Sequence, residues 1–452
     1  MPHAADQRRT LTIAALGTLL TLIAFTAPLA TINPTAATLG SDAAGKTWIL
    51  SSMSIGLGAA LLISGTISDD FGRRKTFVIG AAILALGSVV CAVAPNTLVF
   101  VIARIVQGLG GAALVASSLG LIAHTHPAGP LRARASGIWG ASVGAGIALG
   151  PLLAAVLDRL ATWRDAYWLL TLATIVLAIA AHRRVSESRT DDPRGLDPAG
   201  ALLLGIGVSA LLAGLVEGRQ GWTQPVPIAL LVGALILLLV FVLHEYRSRA
   251  AMLDLKLFVH PPFVAATVAA LVTGVGIVAL MSFMSGFLGN TFGINALGAS
   301  FLLFAWSGTS VVTALLARRI PPSVTGGTQL AIGLIGVALG QLMLLGVSET
   351  STWVRFLPGL VFAGIASGIV NAALGREAVA SVPAGRAGMG SGANNTARYV
   401  GSAIGVTVVS VLAIPTGTPT TAGFVEGWNT AVLFTAAATV VGALVVLATR
   451  RR

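Results

Sequence analysis

The chain has 452 residues, of which 55% are hydrophobic and only 10% charged, and 28 Lys+Arg against 16 Asp+Glu give it a formal net charge of +12. A soluble globular domain carries about 25% charged residues, so a soluble enzyme or a nucleic-acid-binding module is a poor reading, and the basic balance points instead to anionic lipid headgroups. The single cysteine, Cys91, lies in an apolar run, so no internal disulfide is possible and no thiol-ligated metal site is expected. Apolar stretches of about 20 residues read as membrane-spanning helices. They predict helices over 11–32, 47–68, 76–94, 97–122, 136–157, 165–182, 198–216, 225–244, 263–289, 297–317, 326–346, 354–375, 389–413 and 427–448, an all-α integral membrane protein of 14 helices. The first stretch is one of many, so it is read as helix 1 and not as a cleavable signal.

Turn residues and charges separate these stretches, as at Asp69–Lys75, Ala94-Pro95-Asn96 and His260-Pro261-Pro262. With the N-terminus inside, five of the 28 basic residues (Lys46, Arg159, Arg164, Arg219, Arg355) fall on external loops and two (Arg104, Arg398) within helices. The remainder fall on cytoplasmic segments, so both termini are expected in the cytoplasm. Trp48, Trp163, Trp168, Trp222, Trp353 and Trp428 fall near predicted outer helix ends, where an interfacial belt belongs. Gly40–Thr47 satisfies the G-x-x-x-x-G-K-[ST] pattern, but it joins two membrane helices and no strand precedes it, so ATP binding is not expected.

In chain order, the candidate functional residues begin in helix 1 with Thr31 and Asn33. Between helices 2 and 3, Gly65 permits close contact, Asp69 and Asp70 can meet a helix N-terminus, Gly72 supplies a tight turn, and Arg73, Arg74 and Lys75 hold the loop inside. Helix 4 carries Arg104, whose central position costs roughly 2.5–3.5 kcal/mol and so marks a protein interior or a solute path. Gln107 and Gly108 share its face. Arg104 either takes part in transport or anchors backbone carbonyls of a neighbouring helix. Helix 5 carries Gly137, Gly146, Gly150 and Pro151, which allow close packing on one face and a bend or hinge. Asp158 and Glu217 sit at outer helix ends, either as proton-carrying acids or as solvated helix ends. Helix 12 offers Asn371, and helix 13 offers Arg386, Asn394, Asn395 and Arg398, either lining a cavity shared with Arg104 or, for the asparagines, bonding adjacent helices. The six histidines lie outside helix centres and make weak metal ligands, so no metal, catalytic residue or cofactor is expected.

The spaced motifs in helices 2–3, 4 and 5 resemble those of the major facilitator superfamily, and helix 13 resembles its counterpart in fourteen-helix drug:proton antiporters. The resemblance implies two six-helix halves, 1–185 and 260–452, joined by a cytoplasmic linker and two inserted helices over 186–259. It also implies proton coupling at Arg104-x-x-Gln107-Gly108 and antiport through the helix 5 motif. Three departures stand out: Asp70 replaces a usual basic residue, Ala154-Ala155 replaces a glycine pair, and helix 1 reads Ala27–Pro34 where many drug exporters carry an Asp. Without that acid the expected cavity is cationic, which favours neutral or anionic substrates. The function expected is a monomeric plasma-membrane exporter of small organic molecules (an antibiotic, drug or amphiphilic metabolite) working by alternating access and powered by the proton gradient. A proton symporter or facilitator importing an organic anion is the runner-up, followed by a non-transporting membrane sensor.

Overall fold

The computed structural model describes residues 4–248, 250–321, 323–413 and 420–449. Among these, the secondary structure is helical, with no strand. The helices are α1 (Ala4–Thr26), α2 (Pro28–Leu39), α3 (Ala43–Phe71), α4 (Arg73–Val93), α5 (Thr97–Thr125), α6 (Pro130–Leu160), α7 (Arg164–Arg184), α8 (Pro198–Gly218) and α9 (Pro225–Arg247). After these come α10 (Pro261–Val272), a π-helical turn (Thr273–Val278), α11 (Ala279–Phe292), α12 (Ala296–Leu316), α13 (Gly326–Leu342), α14 (Leu357–Ala380), α15 (Ala387–Ala413) and α16 (Thr421–Ala448).

Local chemistry sets the helix starts. The side chains of Asp42, Asn96, Asp197 and Asn295 accept from the backbone N–H three residues on, satisfying donors that a helix N-terminus leaves open. Prolines begin α6, α8, α9 and α10, where the missing N–H costs nothing. The phosphate-loop pattern at Gly40–Thr47 is explained this way: Gly40 ends α2 at φ 66° and Asp42 caps α3.

Thirteen helices among the described residues are long and apolar enough to span a bilayer, counting α10 through α11 as one. The 17-residue α13 is shorter, about 26 Å against a hydrocarbon core of about 30 Å. Every predicted stretch falls on a helix, but the first does not run unbroken. Pro28 ends α1 at Thr26, and α2 starts afresh.

Two packed groups meet face to face. α1 and α3–α7 enclose one apolar core, and α10–α16 enclose another. Their interface is made by α3 and α5 against α15, and by α6 against α12 and α14. α8 lies against α3 and α15, and α9 packs on α8 with Ile228, Leu235, Leu239 and Leu243 exposed, as a lipid-facing helix requires. The tryptophan expectation needs correcting. Trp168, Trp222 and Trp353 are exposed, but Trp163 and Trp428 are buried. Trp428 stacks on Phe287 at 4.5 Å and donates to the Leu344 carbonyl, because a helix end near the interface still has an inward face.

The tightest approach in the first group is α3 on α5. A Cβ on Gly56 would meet the carbonyl oxygen of Ile105, and one on Gly108 would meet that of Met53. Backbone against backbone cannot yield as a flexible side chain can, so Gly108→Val forces the pair apart, at a cost of at least about 1–3 kcal/mol. The expected result is loss of most monodisperse protein in size-exclusion chromatography, with Gly108→Ala intermediate. A normal Gly108→Val profile would show that the contact is dispensable.

Candidate functional site

Three groups of residues are candidates: one joins the two packed groups, one lies within the first, and one lines the space between them. The first is a latch on the face that carries the Asp69–Lys75 turn. Gly72 closes the turn at φ 130°, which favours glycine. Asp69 is fully buried; its Oδ1 accepts from Arg73 Nη2 (2.8 Å) and from Gly388 N–H (3.1 Å), and its Oδ2 accepts from Met389 N–H (2.9 Å). Gly388 and Met389 belong to the first turn of α15, so this carboxylate caps a helix of the opposite group, where the helix dipole favours negative charge. Arg73 also donates to the Gly385 carbonyl (2.8 Å). Gly65 lies so close to Gly388 that a Cβ would strike its carbonyl oxygen.

Asp70, the departure at this turn, accepts from Arg386 Nη1 (2.5 Å), and Arg386 Nη2 donates to the Asp192 carbonyl (2.7 Å). Glu187, which the sequence did not single out, accepts from the N–H groups of Arg74 (2.9 Å) and Lys75 (3.1 Å) and so caps α4. The segment after α7 is thereby stitched to the turn, also through Arg73 N–H to the Ser188 carbonyl and Thr190 N–H to the Asp69 carbonyl, each 2.8 Å.

The second group surrounds Arg104, which is fully buried. Pro28 has no N–H to return to the Ala24 carbonyl, and the break leaves the last carbonyls of α1 without helical donors. Arg104 supplies them, Nη1 to Ala24 O (2.5 Å) and Nη2 to Phe25 O (3.1 Å), with its cation at the negative end of α1. Nη1 also donates to Gln107 Oε1 (2.9 Å), and Gln107 Nε2 donates to Ser88 Oγ on α4 (2.8 Å).

The third group is a cavity between the halves. Its wall includes Phe25, Leu29, Pro151, the π-turn residues Thr273, Ile277 and Val278, and Trp306, Asn371, Arg398 and Tyr399. Phe25, Leu29, Ser282 and Ser402 also line a wider vestibule toward the face opposite the latch, which holds Lys46 and Arg219. No carboxylate among the described residues lines either space. Burial pushes the Arg219 guanidinium down to about 10, so it stays charged at neutral pH.

This geometry revises the cavity expected from the sequence. Arg398 and Asn371 line it and Arg104 does not, because a long arginine stem can turn to the carbonyls that Pro28 strands. Asn394 donates to the Ala266 carbonyl of α10 (2.9 Å), and Asn395 to Ser391 of its own helix (3.0 Å). Asn33 is exposed and accepts from Lys46 Nζ (3.1 Å). The α6 glycines use two faces, not one: Gly137 meets α12, while Gly146 and Gly150 meet α1. α6 continues through Pro151. Asp158, near the end of α6, lines neither space. Glu217 lines neither space and accepts from Trp48 Nε1 (2.5 Å).

A sequence model described as Major Facilitator Superfamily matches residues 14–406. Multidrug resistance protein Stp of Mycobacterium tuberculosis is 32% identical over 378 residues, covering 83% of this chain and 70% of that protein. The probable actinorhodin transporter of Streptomyces coelicolor is 30% identical over 390 residues, covering 83% and 67%. The human organic anion transporter MFSD10 superposes with a TM-score of 0.69 at 17% identity over 99% of this chain and 100% of that one, a likeness of fold.

Proposed function

The chain belongs to the Major Facilitator Superfamily, and from that membership we propose that it exports small organic molecules by proton antiport. It is a multi-pass membrane transporter of the inner membrane, not an enzyme, and it alternates access to the cavity between its halves. The observation that carries this reading is that cavity, shut on one face by the Asp69–Asp70–Arg386 latch and sharing wall residues with a vestibule on the other. Relatives named as a multidrug efflux pump and as a tetracenomycin C resistance and export protein support the direction. In this reading the latch face is cytoplasmic, both termini lie there, and the short α13 joins the thirteen long spans as a fourteenth. Residues 1–185 and 260–452 form the two six-helix bundles around the insertion 186–259, and the protein works as a monomer without a cofactor.

Of the residues expected on the path, Arg398 and Asn371 contact the substrate. Arg104 with Gln107, and Asn394 with Asn395, hold the helices that form the path, and Asn33 with Lys46 guards its outer mouth. A cavity wall without carboxylates suits neutral or anionic compounds. The proton then travels on Glu217 at the outer end of α8, or on the substrate itself. The lack of an acid also favours a second reading, organic-anion import by symport or facilitation.

Substrate-induced proton movement in proteoliposomes separates these readings. Screening neutral, anionic and cationic compounds should reveal at least one whose flux drives protons the opposite way, and Glu217→Gln should slow that exchange about tenfold or more, within the range of a lost proton carrier. Protons moving with the compound would establish symport. Flux without proton movement would establish facilitation.

A further inference from the structure

Arg398 has more open buried donors than any other base among the described residues. It lies on the cavity wall with 7% of its surface exposed. It makes no ion pair among the described residues, and its buried Nε and Nη2 have no hydrogen-bond partner. The other buried bases are better provided for: Arg73 and Arg386 pair with carboxylates, and Arg104, whose Nε alone is open, reaches two carbonyls and an amide through Nη1 and Nη2. A buried guanidinium left with open donors carries the full desolvation cost of those groups, and its fork of donors fits a carboxylate or other planar oxyanion.

The surroundings suit such a guest. Facing α15, the chain inserts a π-helical turn at Thr273–Val278, a feature frequent at functional sites. Three of its residues, Thr273, Ile277 and Val278, line the cavity with Arg398. Gln341 Nε2 donates to the Gly276 carbonyl (3.1 Å) and so supports the turn from behind. Phe25 and Tyr399, edge to face at 5.5 Å, and Trp306 add flat apolar wall around a single charged group. Toward the vestibule the next charged groups on the wall are Arg219 and Lys46, so an anion meets cations from mouth to centre.

We infer that the cavity selects aromatic or amphiphilic organic anions, and that Arg398 is the residue that grips their carboxylate or equivalent oxyanion. This deepens the proposed transport reading and rests on it for the consequence of binding, though not for binding itself. Asn371 and the serines of the wall then serve the uncharged polar groups of the same molecule.

The test uses the purified full chain in lipid nanodiscs and three matched probe pairs, the carboxylate and the carboxamide of benzene, naphthalene and anthracene, titrated by quenching of tryptophan fluorescence. At least one carboxylate should bind about tenfold or more tightly than its amide, the effect of one charge-assisted hydrogen-bonded pair. Arg398→Gln should reduce that carboxylate to the affinity of the amide, and Arg398→Lys should keep part of the preference. The wild-type comparison stands even where a variant fails to fold, which its size-exclusion profile reports. No carboxylate preference in any pair, or a preference intact in Arg398→Gln, overturns the inference. Displacement of the carboxylate by millimolar chloride alone would mark a halide site and overturn it as well. Proton-coupled flux measured on the same preparations keeps the two readings apart. Carboxylate preference without coupled flux removes the antiport reading and leaves the anion site, whereas coupled flux indifferent to probe charge and to Arg398 does the reverse.

Discussion

Asp69→Asn is expected to abolish transport while leaving the protein folded and in the membrane, because it loosens the latch and leaves both cores untouched. The carboxylate serves Arg73 and the Gly388 and Met389 N–H groups of α15 at once. An amide of the same shape still accepts one or two of these bonds but loses the charge that suits both the arginine and the helix terminus. Disrupting a buried pair costs about 3–5 kcal/mol. If about 3 kcal/mol of that falls on the latch-closed state, the closed-to-open ratio drops by roughly 100-fold. Ser391, fully buried one turn further along α15, reports the change. Introduced as Ser391→Cys in a Cys91→Ser background, it should react with a maleimide from the latch face at least about tenfold faster once Asp69 is Asn.

The neighbouring pair separates charge from geometry. Asp70 and Arg386 make one bridge across the halves, so Asp70→Arg should impair transport and Asp70→Arg with Arg386→Asp should restore much of it. No partner change can rescue Asp69→Asn, since two of its four donors are backbone N–H groups. Unchanged labelling and transport in Asp69→Asn would show that the latch does not hold the closed face.

The helices were legible because a bilayer demands long apolar runs, and each predicted stretch from 11–32 to 427–448 falls on one. What hydropathy cannot register is where a run bends. Pro28 ends α1 within a continuous apolar stretch, and the π-turn at Thr273–Val278 lies inside another. At the site, the Asp69–Lys75 turn was legible from its charges, but its partners were not. Arg386 lies 316 positions from Asp70, and no local pattern encodes that pairing. The sequence left Asn394 between the cavity wall and a bond to an adjacent helix, and its amide bonds the Ala266 carbonyl while Arg398, one turn on, reaches the wall. It left Arg104 between a transport role and an anchor of neighbouring carbonyls, but not which carbonyls, since those are the ones freed at Pro28.

That dependence yields the second large effect. Arg104→Ala should destabilise the protein by about 2–6 kcal/mol, from about 1–3 kcal/mol for each carbonyl left without a donor, with Gln107 and Ser88 losing their link to α1 as well. The apparent melting temperature should fall by about 2–6 °C. Arg104→Lys should recover little, because one ammonium cannot reproduce a fork that reaches Ala24 and Phe25 together. Pro28→Ala provides the internal control. It returns an N–H to the Ala24 carbonyl and removes the cause of the break, so in that background Arg104→Ala should cost less than it does alone, and the shortfall measures the coupling between proline and arginine. Equal costs in both backgrounds would dissolve the anchor. If the double variant regains stability yet moves no protons with substrate, Arg104 does more than hold α1, and the coupling role that the family resemblance implies for it belongs to the guanidinium itself.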